Sequence, residues 1–119
     1  MKKILIVEDD SDFQDIYQLY LQGESFQVLT ALNGKEALAV LEKETPDVVI
    51  LDLIMPVMDG EEFYVKLRAQ EKWRSIPVLI ASVNEKMPQR ILELGGVAGN
   101  LKKPFEIDTL LEKIRENLK

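Results

Sequence analysis

The sequence predicts an α/β fold: a doubly wound parallel sheet of five strands flanked by five helices. Two observations carry that prediction. Short β-branched runs alternate five times with longer stretches of helical spacing. The strand runs are also apolar enough that both of their faces must be covered, which is the mark of a parallel sheet. Right-handed crossovers then place helices on both sides.

Each element has its own signal. Ile4 to Val7 reads as the first strand. Phe13, Ile16, Tyr17 and Tyr20 recur at i, i+3, i+4 and i+7, one face of a first helix. Gly23 punctuates it, "FQVLTA" (26–31) is a second strand of mixed character, and Asn33-Gly34 is a turn. "KEALAVLEKE" is rich in helix formers, with Ala37, Leu38 and Leu41 on one side. Pro46-Asp47 stops that helix and introduces the third strand, 48–51. Asp59 caps a third helix that carries Phe63 and Leu67 four apart. Met55-Pro56 and Met58, just before it, read as loop packing. Pro77 opens "VLIAS", a fourth strand ending at Ser82. Met87, Ile91 and Leu94 mark the inner side of a fourth helix closed by Gly95-Gly96. "AGNLK" reads as a fifth strand and Lys103-Pro104 as a breaker. Ile107, Leu110, Leu111, Ile114 and Leu118 give the clearest amphipathic pattern in the chain.

Composition prunes the function classes. With 46% hydrophobic and 30% charged residues in 119, the chain reads as one globular domain, 1–119. A net charge of −6 argues against direct nucleic-acid binding through a basic face. There is no Cys, so disulfides, thiolate chemistry and cysteine metal sites are excluded, and no His, which removes the usual zinc ligands and triad base. The apolar run after Lys2 and Lys3 is too short for a signal peptide, and no segment reaches transmembrane length. A cytoplasmic protein with no membrane contact is expected.

In doubly wound sheets ligands sit beyond the carboxyl ends of the strands. The residues there are Glu8, Asp9 and Asp10 after strand one, Asp52 after strand three, Ser82 after strand four and Lys103 after strand five. Two carboxylates ~4 Å apart repel by roughly 4 kcal/mol at an effective dielectric near 20. One ammonium cannot balance this many acids. A divalent cation can, and an all-oxygen donor set suits Mg²⁺. Asp10 and Ser11 read more simply as a helix cap, whereas Asp52 follows so apolar a strand that solvation alone does not account for it.

"ILIVEDD", "DLIMPVMDG", "PVLIAS" and "KKPF" resemble, in order and spacing, the receiver domain of two-component response regulators, over essentially the whole chain. The resemblance implies a CheY-like, flavodoxin-like sheet of strand order 2-1-3-4-5. It implies Asp52 as phosphoacceptor, a carboxylate nucleophile. Asp9 is implied as a direct Mg²⁺ ligand, Glu8 as one acting through water, and the backbone carbonyl of Ile54 as the third protein ligand. Ser82 matches the hydroxyl that hydrogen-bonds a phosphoryl oxygen, Lys103 the ammonium that pairs with it, and the Lys103-Pro104 bond is expected to be cis.

The function so implied is a phosphorylation-dependent switch in a two-component phosphorelay. It is a phosphoprotein and no turnover enzyme, its chemistry limited to self-phosphorylation on Asp52 and autodephosphorylation. The donor, a sensor histidine kinase or a histidine phosphotransfer protein, acts in trans. The downstream protein target is expected on the face of the fourth helix, fifth strand and fifth helix. Three positions depart from the family's pattern: Asn100 stands where an aromatic usually lies, Val83 where a small residue is common, and Ile54 where the family tunes hydrolysis. Asn100 keeps open a receiver-like interaction module that is not phosphorylated. A flavodoxin is disfavoured by the acids of "VEDDSD", and an aspartate phosphatase by the lack of a proton donor at Leu53-Ile54.

Overall fold

A computed structural model describes residues 1–55, 57–83 and 86–118; Pro56 lies outside them. The elements run β1 (Lys3–Val7), α1 (Ser11–Gly23), β2 (Gln27–Ala31), α2 (Gly34–Lys43), β3 (Val48–Leu51), α3 (Gly60–Ala69), β4 (Val78–Ser82), α4 (Gln89–Leu94), β5 (Val97–Lys102) and α5 (Ile107–Glu116), with a 3-10 turn at Glu71–Trp73. The five strands are parallel, in the order β2-β1-β3-β4-β5, as the fold prediction has it.

Alternation along the strands divides the core in two. Leu5, Val7, Val49, Leu51, Val78 and Ile80 face α2, α3 and α4, where Ala37, Leu41, Phe63, Leu67 and Ile91 meet them. Ile4, Ile6, Val48, Ile50, Leu79 and Ala81 face α1 and α5, packing on Tyr17, Leu21, Leu110, Leu111 and Ile114. The central strands are buried on both sides, which is why β1, β3 and β4 read as unbroken apolar runs. Asp10, Asn33 and Asp59 cap α1, α2 and α3: Asp10 accepts two backbone N–H groups of the first turn, and Asn33 and Asp59 one each.

Two helix faces differ from the sequence expectation. The buried residues of α1 are Gln14, Tyr17 and Leu21, while Phe13, Ile16 and Tyr20 stay 36%, 45% and 47% exposed. The reason is Gln14: its Nε2 lies 3.0–3.1 Å from the carbonyls of Ile6, Glu8 and Ala31, its two N–H groups shared among the three acceptors. That joins the ends of β1 and β2, which an apolar side chain there cannot do. In α4 only Ile91 is buried. Met87 precedes the helix and Leu94 is 49% exposed, because six residues stop at Gly95, whose φ is +67°. Tyr64 donates to the Gly95 carbonyl, and Arg68 donates to Tyr64 Oη at 3.0 Å and to the Gly96 carbonyl at 2.9 Å. The turn after α4 is thereby pinned to α3.

Candidate functional site

The backbone of the sheet hands over directly to the site. The Glu8 N–H donates to the Ala31 carbonyl, Asp52 N–H to Val7 and Lys103 N–H to Ser82, each at 3.0 Å. Each functional side chain therefore hangs from the last rung of a strand ladder. Their side chains are 3%, 11% and 7% exposed, so their charges face one another with little water between them.

Lys103 Nζ closes on Glu8 Oε1 and lies 3.6 Å from Asp52 Oδ2. Asp52 Oδ1 accepts the Ile54 N–H at 3.3 Å, and Glu8 Oε2 accepts the Asp10 N–H at 3.2 Å. Asp9 is exposed. Carboxylate oxygens of Glu8, Asp9 and Asp52 all come within 4.8 Å of one another. They border a cleft of about 240 Å³, which Asp10, Phe13, Ile54, Val83 and Lys103 also line.

Three carboxylates thus share one buried ammonium. Burial pushes the Glu8 carboxyl up to about 7; the hydrogen bond from Lys103 opposes the rise and the Asp52 charge adds to it. Tyr17, beneath them, has its phenol raised well above the usual range by burial and then by the Glu8 and Asp52 charges. The donor set is all oxygen, compact and short of positive charge, which fits a hard divalent cation of the Mg²⁺ kind. With Glu8 engaged by Lys103, the exposed Asp9 and the cleft-facing Asp52 are the carboxylates free to approach an ion directly.

The structure brings Glu8, Asp9, Asp52, Ile54 and Lys103 to one cleft. Ser82 is fully buried at the end of β4, and its carbonyl accepts the Lys103 N–H at 3.0 Å. Asp10 acts as the α1 cap, its Oδ1 accepting the N–H groups of Asp12 at 2.9 Å and Phe13 at 3.3 Å. The Lys103-Pro104 bond is cis. Met55 is buried and Met58 half-buried against Gly34, in keeping with loop packing.

Three contributors escape the sequence reading. Gln14 ties β1 to β2, and its signal is a polar residue in the same helical stripe as Tyr17 and Leu21. Gly60 lets α3 start against the Asp52 backbone, since a Cβ there would lie 2.3 Å from the Asp52 carbonyl oxygen. Phe13 presents its ring to Lys103, with 4.4 Å from Nζ to the ring centroid; nothing in the pattern distinguishes it from a core residue.

The family model described as the response regulator receiver domain matches residues 4–115, and the chain belongs to that family. Among curated relatives, the transcriptional regulatory protein PrrA of Mycobacterium tuberculosis is 33% identical over 118 residues, 98% of this chain and 50% of that protein. The probable transcriptional regulator ycf29 of Porphyra purpurea is 36% identical over 113 residues, 94% and 54% respectively. The chain spans about half the length of the curated relatives it matches.

Among solved structures, the chemotaxis response regulator CheY4 of Vibrio cholerae has a TM-score of 0.90 at 35% identity, covering 99% of both chains. The receiver domain of the sensor histidine kinase PA1611 from Pseudomonas aeruginosa PAO1 has a TM-score of 0.88 at 27% identity, covering 98% of this chain and 97% of that one; it holds a magnesium ion in its active-site cleft. Among the described residues of this chain, no helix is long and apolar enough to cross a membrane.

Proposed function

We propose that this receiver domain is a phosphorylation switch in which Asp52 accepts a phosphoryl group. One observation carries the reading: three carboxylates and a buried ammonium converge on a single open cleft. Such an arrangement is costly unless it serves an incoming anion and a cation together.

An Asp52 carboxylate oxygen forms the new O–P bond as the donor's N–P bond breaks, and the bonding pair stays on the donor nitrogen. The donor is a phosphohistidine of a sensor histidine kinase or phosphotransfer protein acting in trans, as residues 1–119 carry no His of their own to donate from. Asp9, Asp52 and the Ile54 carbonyl would hold Mg²⁺, with Glu8 acting through water. When bound, the ion supplies charge neutralisation for the attacking carboxylate and the phosphoryl oxygens. Lys103 pairs with a phosphoryl oxygen, and the Ser82 hydroxyl, buried at the end of β4 before modification, turns toward the cleft to hydrogen-bond another. The group then leaves by hydrolysis, so the chain is a carrier of state and no turnover enzyme.

Phosphorylation replaces the single charge of the Asp52 carboxylate by an acyl phosphate of about −2, a net gain of about one negative charge that now sits farther out on the phosphoryl oxygens. That draws Lys103 away from Glu8 and biases the surrounding loops between two arrangements. The downstream target is read as a protein docking on α4, β5 and α5, where Leu92 and Leu94 are exposed. A cytoplasmic setting is proposed with it. Incubation with Mg²⁺ and acetyl phosphate should add one phosphoryl mass to the wild type and none to Asp52→Ala. Equal masses for the two proteins would refute the assignment and favour a receiver-like interaction module.

A further inference from the structure

Lys103 has a neighbour that the phosphoacceptor chemistry does not call for. Its ammonium faces Glu8, stands 3.6 Å from Asp52, and is covered by the ring of Phe13 at 4.4 Å from the centroid. An ammonium over an aromatic face is attracted by the ring's negative quadrupole, and the attraction grows as water is removed. Here Lys103 is 8% exposed. Phe13 is held in turn by the α1 cap, where its backbone N–H donates to Asp10 Oδ1 at 3.3 Å.

The ring is also the first of three. Phe13 and Tyr17 stand 6.5 Å apart, and Tyr17 and Phe105 6.2 Å, in tilted contacts. Phe105 lies two residues beyond Lys103, so the three rings bridge α1 to the segment that carries the ammonium. They border a separate groove of about 260 Å³ between α1 and the start of α5, which Ile16, Tyr20 and Ile107 also line.

We propose that Phe13 is a positioning residue for Lys103: its ring holds the ammonium at the mouth of the cleft, and loss of that contact on phosphorylation carries the state of Asp52 into the aromatic groove beside α1. This rests on the phosphoacceptor reading above. Glu8 and the Phe13 ring hold the ammonium just beyond hydrogen-bond reach of Asp52. A doubly charged oxyanion on Asp52 exceeds a ring face in its pull on a cation, so Lys103 turns inward and Phe13 loses its partner. The rings of Tyr17 and Phe105 then repack.

The test compares the full chain with Phe13→Leu and Phe13→Tyr. In the unmodified wild type, the Lys103 ε-protons should be shifted upfield by the Phe13 ring. The shift should persist in Phe13→Tyr, vanish in Phe13→Leu, and move toward the Phe13→Leu value when wild type is phosphorylated. The rate of phosphorylation by acetyl phosphate should rise about three- to tenfold in Phe13→Leu, because a contact made only before phosphorylation opposes the step, and stay within about twofold in Phe13→Tyr. Ordinary lysine shifts in the wild type, or a wild-type rate in Phe13→Leu, overturn the proposal. A wild type that gains no phosphoryl mass refutes the Asp52 assignment instead, and the shifts of the unmodified protein still decide whether Phe13 holds the ammonium.

Discussion

The ammonium of Lys103 closes on Glu8 and leaves Asp52 3.6 Å away. The lysine is thus committed to the carboxylate that takes no phosphoryl group, and the proposed nucleophile keeps its oxygens open to the cleft. Lys103 can change partner without either residue leaving its strand.

The pH dependence of stability reports the environment of Glu8. Its carboxyl rises from an ordinary 4.5 to about 7 on folding, chiefly through burial. The folded state therefore binds an extra proton between those values. The associated stabilisation is complete below pH 4.5 and is lost as pH rises through 7. In chelator, Glu8→Gln should lack that component. The stability of wild type relative to the variant should drop by on the order of 2–3 kcal/mol between pH 4.5 and 8. Urea unfolding across that range measures it, and parallel curves would contradict it.

Asp52→Asn should raise the stability of the metal-free protein. The change removes one of three crowded negative charges and keeps an oxygen to accept the Ile54 N–H. The attraction lost with Lys103 is the smaller effect, since that ammonium is already engaged by Glu8. A gain of about 1 kcal/mol is expected, a fraction of one carboxylate repulsion at intermediate dielectric. Urea denaturation in chelator checks it, and added Mg²⁺ should narrow the gap by stabilising wild type more.

Gly60→Ala should damage both fold and site. An added Cβ meets the Asp52 carbonyl oxygen at 2.3 Å and Leu53 Cα at 2.6 Å, both backbone atoms with no rotamer to yield. Overpacking of this kind costs about 2–3 kcal/mol. At Gly23 a Cβ meets nothing within 4 Å, so Gly23→Ala serves as the neutral control. The measurements are denaturant midpoints together with phosphorylation rates, which should fall for Gly60→Ala alone.

The lifetime of a phosphorylated Asp52 should depend on the apolar mouth of the cleft. Ile54 and Val83 line it and remain 55% and 62% exposed, placed to exclude an attacking water. Replacing Ile54 with Asn supplies a group that can hydrogen-bond that water. Phosphate release should accelerate severalfold in Ile54→Asn, as followed by a phosphate-binding assay. An unchanged rate would remove Ile54 from the shield.

Most of the architecture was legible because its causes are local. β1, β3 and β4 announce themselves as β-branched runs buried on both faces, and α5 through its five-residue apolar stripe. The acids and the lysine were found by one rule, that the ends of parallel strands converge. The misplaced face of α1 has a clear physical origin. Its sequence holds an apolar stripe and a second stripe of Gln14, Tyr17 and Leu21 that shares Tyr17, and the second faces inward because the Gln14 amide meets a cluster of three backbone carbonyls. Those carbonyls come from β1, β2 and the loop after β1, so the choice is tertiary. The outward stripe is not idle, since it carries the ring that meets Lys103. Likewise α4 is shortened by a turn held from α3 through Tyr64 and Arg68, a contact some thirty residues away in the chain.

Glu8, Asp52 and Lys103 are each the first residue past a strand, and the backbone N–H of each is still paired to the neighbouring strand. Past the adjoining residues that the site itself uses, such as Asp9, Ile54 and Gly60, the outgoing segments can accordingly be lengthened or rewritten while the triangle of charges keeps its dimensions. One chemical centre can thus be transplanted unchanged among many recognition surfaces, with diversity confined to the outgoing turns.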